Sequence, residues 1–404
     1  MSGSNAATAM TDVRPNVVAS PVRWGAVYAM ALSSFVLVTS EFMPVSLLSP
    51  MGRSLTLSDG QVGHAIAVSA AFALTTSLLV GGLFGRLDRR TVLLGLTTLL
   101  IVSGTVVPFA PNYAVLMVGR ALLGVAIGGF WSMSAAIAMR LVPSPDVPKA
   151  LAVINGGNAL ASVLAAPLGS FMEGMLGWRG TFLCILPVSA VAVLWLASSL
   201  PSLPARARRD GDGVLRLLRR RSLVIGLGTV ALFFMGQFSL FTYLRPFLEQ
   251  VTGIGVPTLS LMLLLVGMSG LIGTWVIGRV LDTRRLHLTL SALPAVMALV
   301  AMGLTLLGTS TAATAALLAV WGFAGTAAPV AWWTWLARTV PDEAEAAGGL
   351  MVGVIQLAIT VGAAGGGVVF DRLGATPEFL VSAALLSISA ASALLAMGPR
   401  ARSA

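Results

Sequence analysis

Long apolar runs separated by short polar or glycine-rich turns follow one another along the whole chain. Twelve runs reach about 20 residues, the length that an α-helix needs to cross roughly 30 Å of hydrocarbon. They cover residues 24–48, 62–84, 91–110, 113–139, 150–172, 181–200, 222–247, 258–278, 286–308, 312–337, 346–370 and 378–397. Because a lipid-exposed backbone must satisfy its own hydrogen bonds, the pattern predicts an all-α membrane protein.

The composition supports this prediction. The 404 residues are 57% hydrophobic and only 10% charged, with a mean hydropathy of +0.92. That charge content is too low to cover a water-facing surface. The net charge of +10 would suggest a nucleic-acid binder only if the basic residues shared one face. They fall instead in short clusters between the apolar runs, so we expect the lipid bilayer, and no nucleic acid, as a partner.

Lysine and arginine are distributed unevenly among the turns. With the N-terminus in the cytoplasm, twenty of the 25 lie in cytoplasmic segments, four lie on the opposite face, and Arg120 lies inside a span. Cytoplasmic loops of membrane proteins carry such an excess of positive charge. We therefore expect a multi-pass protein of the bacterial inner membrane with both termini in the cytoplasm.

The chain divides into two halves of related sequence. GRLDRR at 85–90 corresponds to GRVLDTRR at 278–285, and RLVP at 140–143 corresponds to RTVP at 338–341, with offsets of 193 and 198 residues. The predicted organisation is an N-terminal tail (1–23), a six-span half (24–200), an Arg-rich linker (201–221), a second six-span half (222–397) and a C-terminal tail (398–404). Duplicated halves that meet at a midplane site are typical of alternating-access transporters.

The segment at 85–90 resembles the loop after the second span in the major facilitator superfamily. The copy is degenerate, because Gly85 stands where the family has an aspartate and Asp88 where it has a glycine. The resemblance implies a gating loop made of Arg86, Asp88, Arg89 and Arg90, with Asp282 as the counterpart in the second half. Whether Asp88 substitutes for the missing aspartate stays open. RALLG at 120–124 and AAPLG at 165–169 resemble elements of the proton-coupled drug-efflux branch.

Further motifs narrow the resemblance to pumps of that branch that export purine ribonucleosides. These motifs are EFMPVSLL at 41–48, GGFWSMSA at 128–135, VPKAL at 147–151, GQF at 236–238, FTYLRP at 241–246 and VIQLA at 354–358. The resemblance implies a twelve-helix exporter of inosine, guanosine and analogues such as 6-mercaptopurine riboside, driven by the proton motive force without a cofactor. We expect it to act as a monomer. Multidrug or chloramphenicol-type efflux and sugar efflux transporters share parts of the set and stand as alternatives.

Glu41 and Arg120 are ionisable side chains well inside apolar spans. A charge buried alone in hydrocarbon is costly, so each should face a cavity or the other. Both lie about seven residues from the outer ends of their spans, roughly 10 Å below the surface, which makes an ion pair geometrically reasonable. We expect Glu41 to be the proton-coupling carboxylate with Arg120 as its partner. A static ion pair that holds two helices together is the alternative.

Aromatic and amide side chains on the spans near the expected cavity are candidate substrate-binding residues. They are Phe130, Trp131, Asn155, Asn158, Gln237, Phe238, Tyr243 and Gln356. Aromatic planes stack on a heteroaromatic base, and amides offer a donor and an acceptor. The alternatives are interfacial aromatic belts and amide bridges between helices.

Other classes of function fit less well. An integral-membrane enzyme would need clustered catalytic groups, whereas Glu41 is the one carboxylate predicted deep in a span, so we expect no catalytic residue and no metal site. The sequence contains no phosphate-binding loop for ATP, which favours coupling to an ion gradient. The duplicated halves argue against a channel.

Overall fold

The computed structural model describes residues 23–84, 86–204, 217–280, 286–340 and 344–397. The described residues form thirteen α-helices and one 3₁₀ turn, Ser144–Asp146. The helices are α1 (Trp24–Leu55), α2 (Asp59–Leu83), α3 (Arg89–Val106), α4 (Tyr113–Leu141), α5 (Val147–Leu183), α6 (Ile185–Ser199), α7 (Arg221–Thr242), α8 (Leu244–Gln250), α9 (Val256–Val280), α10 (Leu286–Leu307), α11 (Thr311–Thr339), α12 (Ala344–Leu373) and α13 (Ala375–Met397).

Eleven helical stretches in the described chain are long and apolar enough to cross a membrane. One of them, Val147–Ser199, contains 53 residues and breaks at Gly177, where φ is 69° and ψ is 168°. Glycine adopts a positive φ at little cost, so the chain reverses there. The stretch makes two passes, and the helices account for the twelve predicted spans. Span six is the end of α5 with α6, and span seven is α7 with α8.

Helix α1 extends further than predicted, to Leu55 rather than 48, although Pro44 and Pro50 lie inside it. A proline has no backbone N–H, so it leaves the carbonyl four residues earlier without its helical partner. Here those carbonyls belong to Ser40 and Ser46. Both accept hydrogen bonds from buried arginines, which is why the helix continues through the prolines.

The two halves are joined at one end of the bundle, which we call the closed end. It holds the turn at 56–58 between α1 and α2 and the turn at Gly374 between α12 and α13. The cross-half contacts there are Ser58 and Gly60 with Asp371, Gln250 with Asp59, Arg53 with Glu249, Ser260 with Ser170, and Arg245 with Ser46 and Glu173. No other hydrogen bond between the halves joins two described residues.

The apolar core of the described chain, like the hydrogen bonds, joins the two halves only at the closed end. One cluster contains second-half residues together with first-half residues of the closed end, such as Met51 and Val62. A second cluster contains first-half residues alone, such as Ala26 and Ile137, from the opposite end of the bundle. The halves therefore share a core at the closed end and have separate packing at the other.

Small residues let α2 approach the second half closely at the closed end. A Cβ added to Gly63 would lie 2.0 Å from the Tyr243 hydroxyl oxygen, and one added to Gly60 would lie 2.6 Å from the Gly367 carbonyl oxygen. Tyr243 is fully buried, and its hydroxyl donates to the Ala363 carbonyl at 2.7 Å. The contact between α2 and α12 is thus a glycine interface filled by one tyrosine.

The substitution Gly63→Ala tests this contact. Because Tyr243 is held by its hydrogen bond, we expect overpacking to disfavour the closed end by about 1–3 kcal/mol. The reporter is disulfide formation between Gly174→Cys and Val256→Cys in a Cys184→Ser background, since a Cβ on Gly174 lies 3.4 Å from Val256 Cγ1 across the two halves.

The matched control is Gly95→Ala, because a Cβ there meets nothing within 4 Å. Equal disulfide yields in Gly63→Ala and Gly95→Ala would contradict the predicted steric role of Gly63.

Candidate functional site

Arg120 lies at the centre of the first half and binds backbone rather than a carboxylate. Its side chain is fully buried and donates from Nη1 to the Ser40 carbonyl at 2.7 Å, from Nη2 to the Glu41 carbonyl at 3.1 Å, and from Nε to the Ala65 carbonyl at 2.8 Å. The Ser40 carbonyl is the one that Pro44 leaves free. The guanidinium thus connects α4 to both α1 and α2.

The structure brings Glu41 and Arg120 together as predicted, but not as an ion pair. Glu41 is 6% exposed, and its carboxylate lies more than 4.0 Å from every described cationic nitrogen. The guanidinium cannot turn towards it without releasing the Ser40 carbonyl, which Pro44 leaves without a helical donor. The predicted direct salt bridge therefore does not form in this conformation, although the Glu41 carboxylate and Arg120 still interact electrostatically over a longer distance.

The residue after Glu41 joins the two halves near the middle of the bundle. The Phe42 ring stacks on Phe238 of α7, with centroids 5.9 Å apart. Gln237, next to Phe238, is half-buried and donates from Nε2 to the Gly325 carbonyl at 3.3 Å. Of the predicted site residues, the structure thus places Gln237 and Phe238 at one contact between α1, α7 and α11, and Glu41 precedes the α1 residue of that contact in the chain.

Five side-chain polar atoms in the described second half are buried without a hydrogen-bond partner. They are Gln237 Oε1, Gln356 Oε1, Trp332 Nε1, Thr252 Oγ1 and Glu378 Oε2. Buried polar groups in proteins are nearly always paired, so each such atom calls for a partner. Gln237 and Gln356 are predicted site residues, whereas Trp332 is not among the residues predicted for the site.

The first-half candidates are placed differently from one another. Phe130 is 1% exposed in the first-half core and meets Trp131 edge to face at 5.6 Å. Trp131 is half-buried. Asn155 is exposed and donates to the Leu151 carbonyl of its own helix at 2.9 Å, and Asn158 is half-buried. Trp131, Asn155 and Asn158 therefore keep accessible surface, whereas Phe130 is enclosed in the core.

Tyr243 does not face a central cavity, contrary to the prediction. It lies at the closed end, stacked on Phe370 with centroids 5.2 Å apart, and its hydroxyl is bound to Ala363. The reason is the break between α7 and α8, which turns the ring towards Gly63 and Gly367. Tyr243 fills the contact between the halves instead of binding a substrate.

The predicted gating loop makes its described contacts within the first half. Arg90 donates to the Ala197 carbonyl at 2.7 Å, and Arg89 donates to the Phe84 carbonyl at 3.4 Å. Arg86 is exposed, and Gly85 and Asp282 lie outside the described residues. A cavity of about 390 Å³ borders this loop between α2 and α4, lined in part by Arg89 and Arg140.

Asp88 caps α3 and ties it to the segment after α6. It accepts hydrogen bonds from the Arg90 and Leu203 backbone N–H groups and from the Ser202 hydroxyl. Desolvation raises the pKa of Asp88, but these hydrogen bonds and the charge of Arg140 outweigh it and hold the pKa below its ordinary value of 3.8. Asp88 therefore acts in this conformation as a helix cap, with no described contact to the second half.

Two buried charged residues were missed by the sequence reasoning. Arg245 is 1% exposed and binds Glu173 at 3.0 Å, Glu249 at 2.7 Å and the Ser46 carbonyl, which Pro50 leaves free. Glu378 is fully buried in the first turn of α13, so Glu41 is not the one deep carboxylate. The sequence did contain a signal for Arg245, because Pro50 leaves a backbone carbonyl in an apolar span without its helical donor, and that carbonyl needs a donor from elsewhere.

Thermal unfolding in detergent separates the roles of Glu41 and Arg120. We expect Arg120→Lys to lower stability by about 1–3 kcal/mol for each carbonyl left without a donor, because an ammonium group cannot reach three carbonyls in a fork. Glu41→Gln should leave the melting temperature unchanged, since Arg120 binds the Glu41 carbonyl. A large loss of stability in Glu41→Gln would instead support the alternative, in which Glu41 and Arg120 form a static ion pair that holds two helices together.

The cap formed by Asp88 predicts a pH dependence. A carboxylate with a lowered pKa stabilises the folded contact above its ordinary pKa of 3.8, and this contribution is lost as the pH falls through the lower folded value. We expect Asp88→Ala to speed amide hydrogen exchange at Arg90 and Leu203 at neutral pH, because a methyl group cannot accept their hydrogen bonds. Unchanged exchange at Leu203 would contradict the cap.

Comparisons with known proteins agree with the observed architecture. The Major Facilitator Superfamily profile matches residues 30–363. "Transcription regulatory protein OpdE" of Pseudomonas aeruginosa is 54% identical over 371 residues, covering 91% of this chain and 92% of that protein. "Purine ribonucleoside efflux pump NepI" of Salmonella paratyphi C is 41% identical over 377 residues, covering 93% and 94%.

Solved structures show the same fold. A bacterial homologue of the human lysosomal transporter Spinster, in an inward-facing and unoccupied conformation, superposes with a TM-score of 0.78 at 14% identity, covering 94% of this chain and 97% of that chain. A D-xylose-proton symporter gives a TM-score of 0.74 at 16% identity, with 92% and 97% coverage. The profile, the relatives and the duplicated helical halves agree, and the chain belongs to the major facilitator superfamily, a family of membrane transporters rather than enzymes.

Proposed function

We propose that this transporter exports purine ribonucleosides such as inosine and guanosine, and toxic analogues such as 6-mercaptopurine riboside, in exchange for protons. The observation that carries the proposal is the 41% identity, over 93% of the chain, to a protein named as a purine ribonucleoside efflux pump. Identity at that level spans both halves, and it includes the helices that hold Glu41 and Gln237.

The unpaired atoms of the second half support a heteroaromatic, hydrogen-bonding substrate. Gln237 Oε1 and Gln356 Oε1 are acceptors, and Trp332 Nε1 is a donor. A purine edge and ribose hydroxyls supply the complementary donors and acceptors, while the Phe42 and Phe238 rings offer aromatic surface. An apolar drug would leave these groups unpaired, at a cost of about 1–3 kcal/mol for each.

Glu41 is the proposed coupling carboxylate. Its side chain is nearly buried, it forms no salt bridge with a described residue, and it adjoins the Phe42–Phe238 contact between the halves. Relative movement of the halves changes the surroundings of Glu41 and hence its affinity for a proton. Arg120 keeps the backbone of α1 in place during that change, through Ser40 and Glu41.

We place the closed end on the outer side of a bacterial cytoplasmic membrane, with both termini inside. The support is the charge distribution, with twenty of the 25 basic residues on the opposite side. In this orientation the shared core seals the outer side, and the described halves separate towards the cytoplasm. The proposal therefore assigns the structure to an inward-facing stage of the cycle.

Transport assays test the proposal. Bacteria that overproduce the chain should survive 6-mercaptopurine riboside, inosine and guanosine stress better than control cells, with unchanged sensitivity to chloramphenicol. A chloramphenicol phenotype without a nucleoside phenotype would favour multidrug efflux, and a sugar phenotype would favour sugar efflux.

In proteoliposomes, Glu41→Gln should lose inosine uptake driven by a pH gradient while it keeps exchange of labelled for unlabelled inosine. Asp146→Asn is the matched control, because Asp146 is a surface carboxylate that only reaches Lys149 at 4.0 Å. Wild-type gradient-driven uptake by Glu41→Gln would remove the coupling role from Glu41.

The name of the 54% identical relative favours a second candidate, an effect on transcription. A transporter can influence transcription by setting the cytoplasmic concentration of a small molecule that a regulator binds. If that is the route, Glu41→Gln should lose the transcriptional effect together with transport. A transcriptional effect that survives in Glu41→Gln would instead assign the chain a role separate from transport.

A further inference from the structure

Glu378 is a buried carboxyl that the proposed coupling scheme leaves unused. It is 0% exposed in the first turn of α13. Its Oε1 accepts a hydrogen bond from the Ser239 hydroxyl of α7 at 2.5 Å, and its Oε2 is sealed without any partner. A carboxyl with one of two oxygens unpaired in a membrane span is an expensive feature unless it has a function.

The described electrostatic neighbour of Glu378 is a tyrosine hydroxyl that also neighbours two other carboxylates. The Tyr243 hydroxyl, at the junction of α7 and α8, interacts electrostatically with Glu378, with Asp371 of α12 and with Asp59 of α2. No described cation lies within 4.0 Å of the Glu378 carboxyl.

Two other titratable groups on neighbouring elements do not supply a countercharge. Arg245 of α8 is engaged by Glu173, Glu249 and the Ser46 carbonyl. Helix α10, which packs along α13, carries only His287, at the opposite end of the bundle. An ionised carboxyl costs far more than a neutral one in such surroundings.

Glu378 is separated from the first half at the closed end by the side chain of Tyr243. A Cβ built on Gly366 would lie 3.3 Å from Glu378 Oε1, 2.9 Å from Ser239 Oγ and 3.2 Å from Tyr243 Cε2, so all three side chains meet at one point of α12. On its other side Tyr243 touches Gly63 of the first half. If the halves part there, Tyr243 loses that cover and water gains access to the surroundings of Glu378.

We infer that Glu378 is a proton-binding site that controls closure of this end of the transporter. It holds a proton while the halves are packed together, and it releases that proton to water on the closed-end side when they separate. The carboxylic acid becomes a carboxylate, and the proton passes to a water molecule. The inference concerns closure alone and stands whether or not Glu41 carries the coupling proton.

The sign of the pH effect follows from this placement. Because the proton is bound in the closed form and lost in the open form, rising pH should favour opening. For one proton, the ratio of closed to open molecules falls by at most about tenfold for each unit of pH.

The disulfide between Gly174→Cys and Val256→Cys, in the Cys184→Ser background, measures closure. We expect its yield to fall with rising pH in the protein with Glu378 and to stay higher in Glu378→Gln, whose amide cannot ionise. Thiol reactivity changes with pH equally in both backgrounds, so the ratio of the two yields isolates Glu378. Parallel profiles would overturn the inference.

A spectroscopic measurement does not depend on Glu378→Gln folding. Infrared spectra of the protein with Glu378 in place should contain a carboxylic-acid C=O band that shifts in Ser239→Ala, because that variant removes the hydrogen bond to Oε1. Ser382→Ala is the control, since Ser382 bridges the same two helices through the Gly236 carbonyl. A spectrum in which Ser239→Ala moves no carboxylic-acid band would show that Glu378 is ionised and would overturn the inference.

Discussion

Two prolines in α1 impose the constraint on which much of this structure depends. Pro44 and Pro50 cannot donate to the carbonyls of Ser40 and Ser46, and a membrane supplies no water in their place. Arginine side chains meet both needs, Arg120 from the same half and Arg245 from the other half. These hydrogen bonds to freed carbonyls also explain why two guanidinium groups can be almost completely buried.

The two arginines hold the segment 40–46 of α1 in different ways. Arg120 binds it from α4 within one half, so that contact persists when the halves move as bodies. Arg245 binds it across the interface, so its contact with Ser46 exists only when the closed end is closed. Glu41 and Phe42 lie between these two points, which gives opening of the closed end a direct physical connection to the proposed coupling carboxylate.

Much of the fold was predictable because lipid imposes simple rules on the chain. Hydropathy alone located the spans, whereas the break at Gly177, the break between α7 and α8 and the extension of α1 to Leu55 required coordinates. The site was less predictable. Proximity of Glu41 and Arg120 followed from their depth, but an ion pair did not form, because backbone carbonyls bind the guanidinium, among them the Ser40 carbonyl that Pro44 frees. That competition was visible in the four-residue spacing between Ser40 and Pro44.

The packing role of Tyr243 and the burial of Glu378 could not be predicted from the sequence. Tyr243 looks like any aromatic near a helix end, and its role depends on Gly63 and Gly367 lying opposite it, which is a property of packing between distant segments. Glu378 lies in the first turn of a predicted span, where an acid normally faces water or favours the helix N-terminus. Its burial depends on the tight approach of α7, α12 and α13.

The chemistry of the closed end suits an interface that must open repeatedly. Besides the shared apolar core, its cross-half contacts are hydrogen bonds, ion pairs and glycine approaches, such as Asp371 accepting from Ser58 and from the Gly60 N–H at the start of α2. Each such hydrogen bond contributes a net of only about 0.5–1.5 kcal/mol, because water replaces it on opening. The free energy of a few such hydrogen bonds is similar to the coupling free energy that a ligand or a proton typically supplies, about 1–3 kcal/mol. Because water can replace these polar contacts on opening, the closed end is easier to open than an interface of the same area held by the apolar core alone.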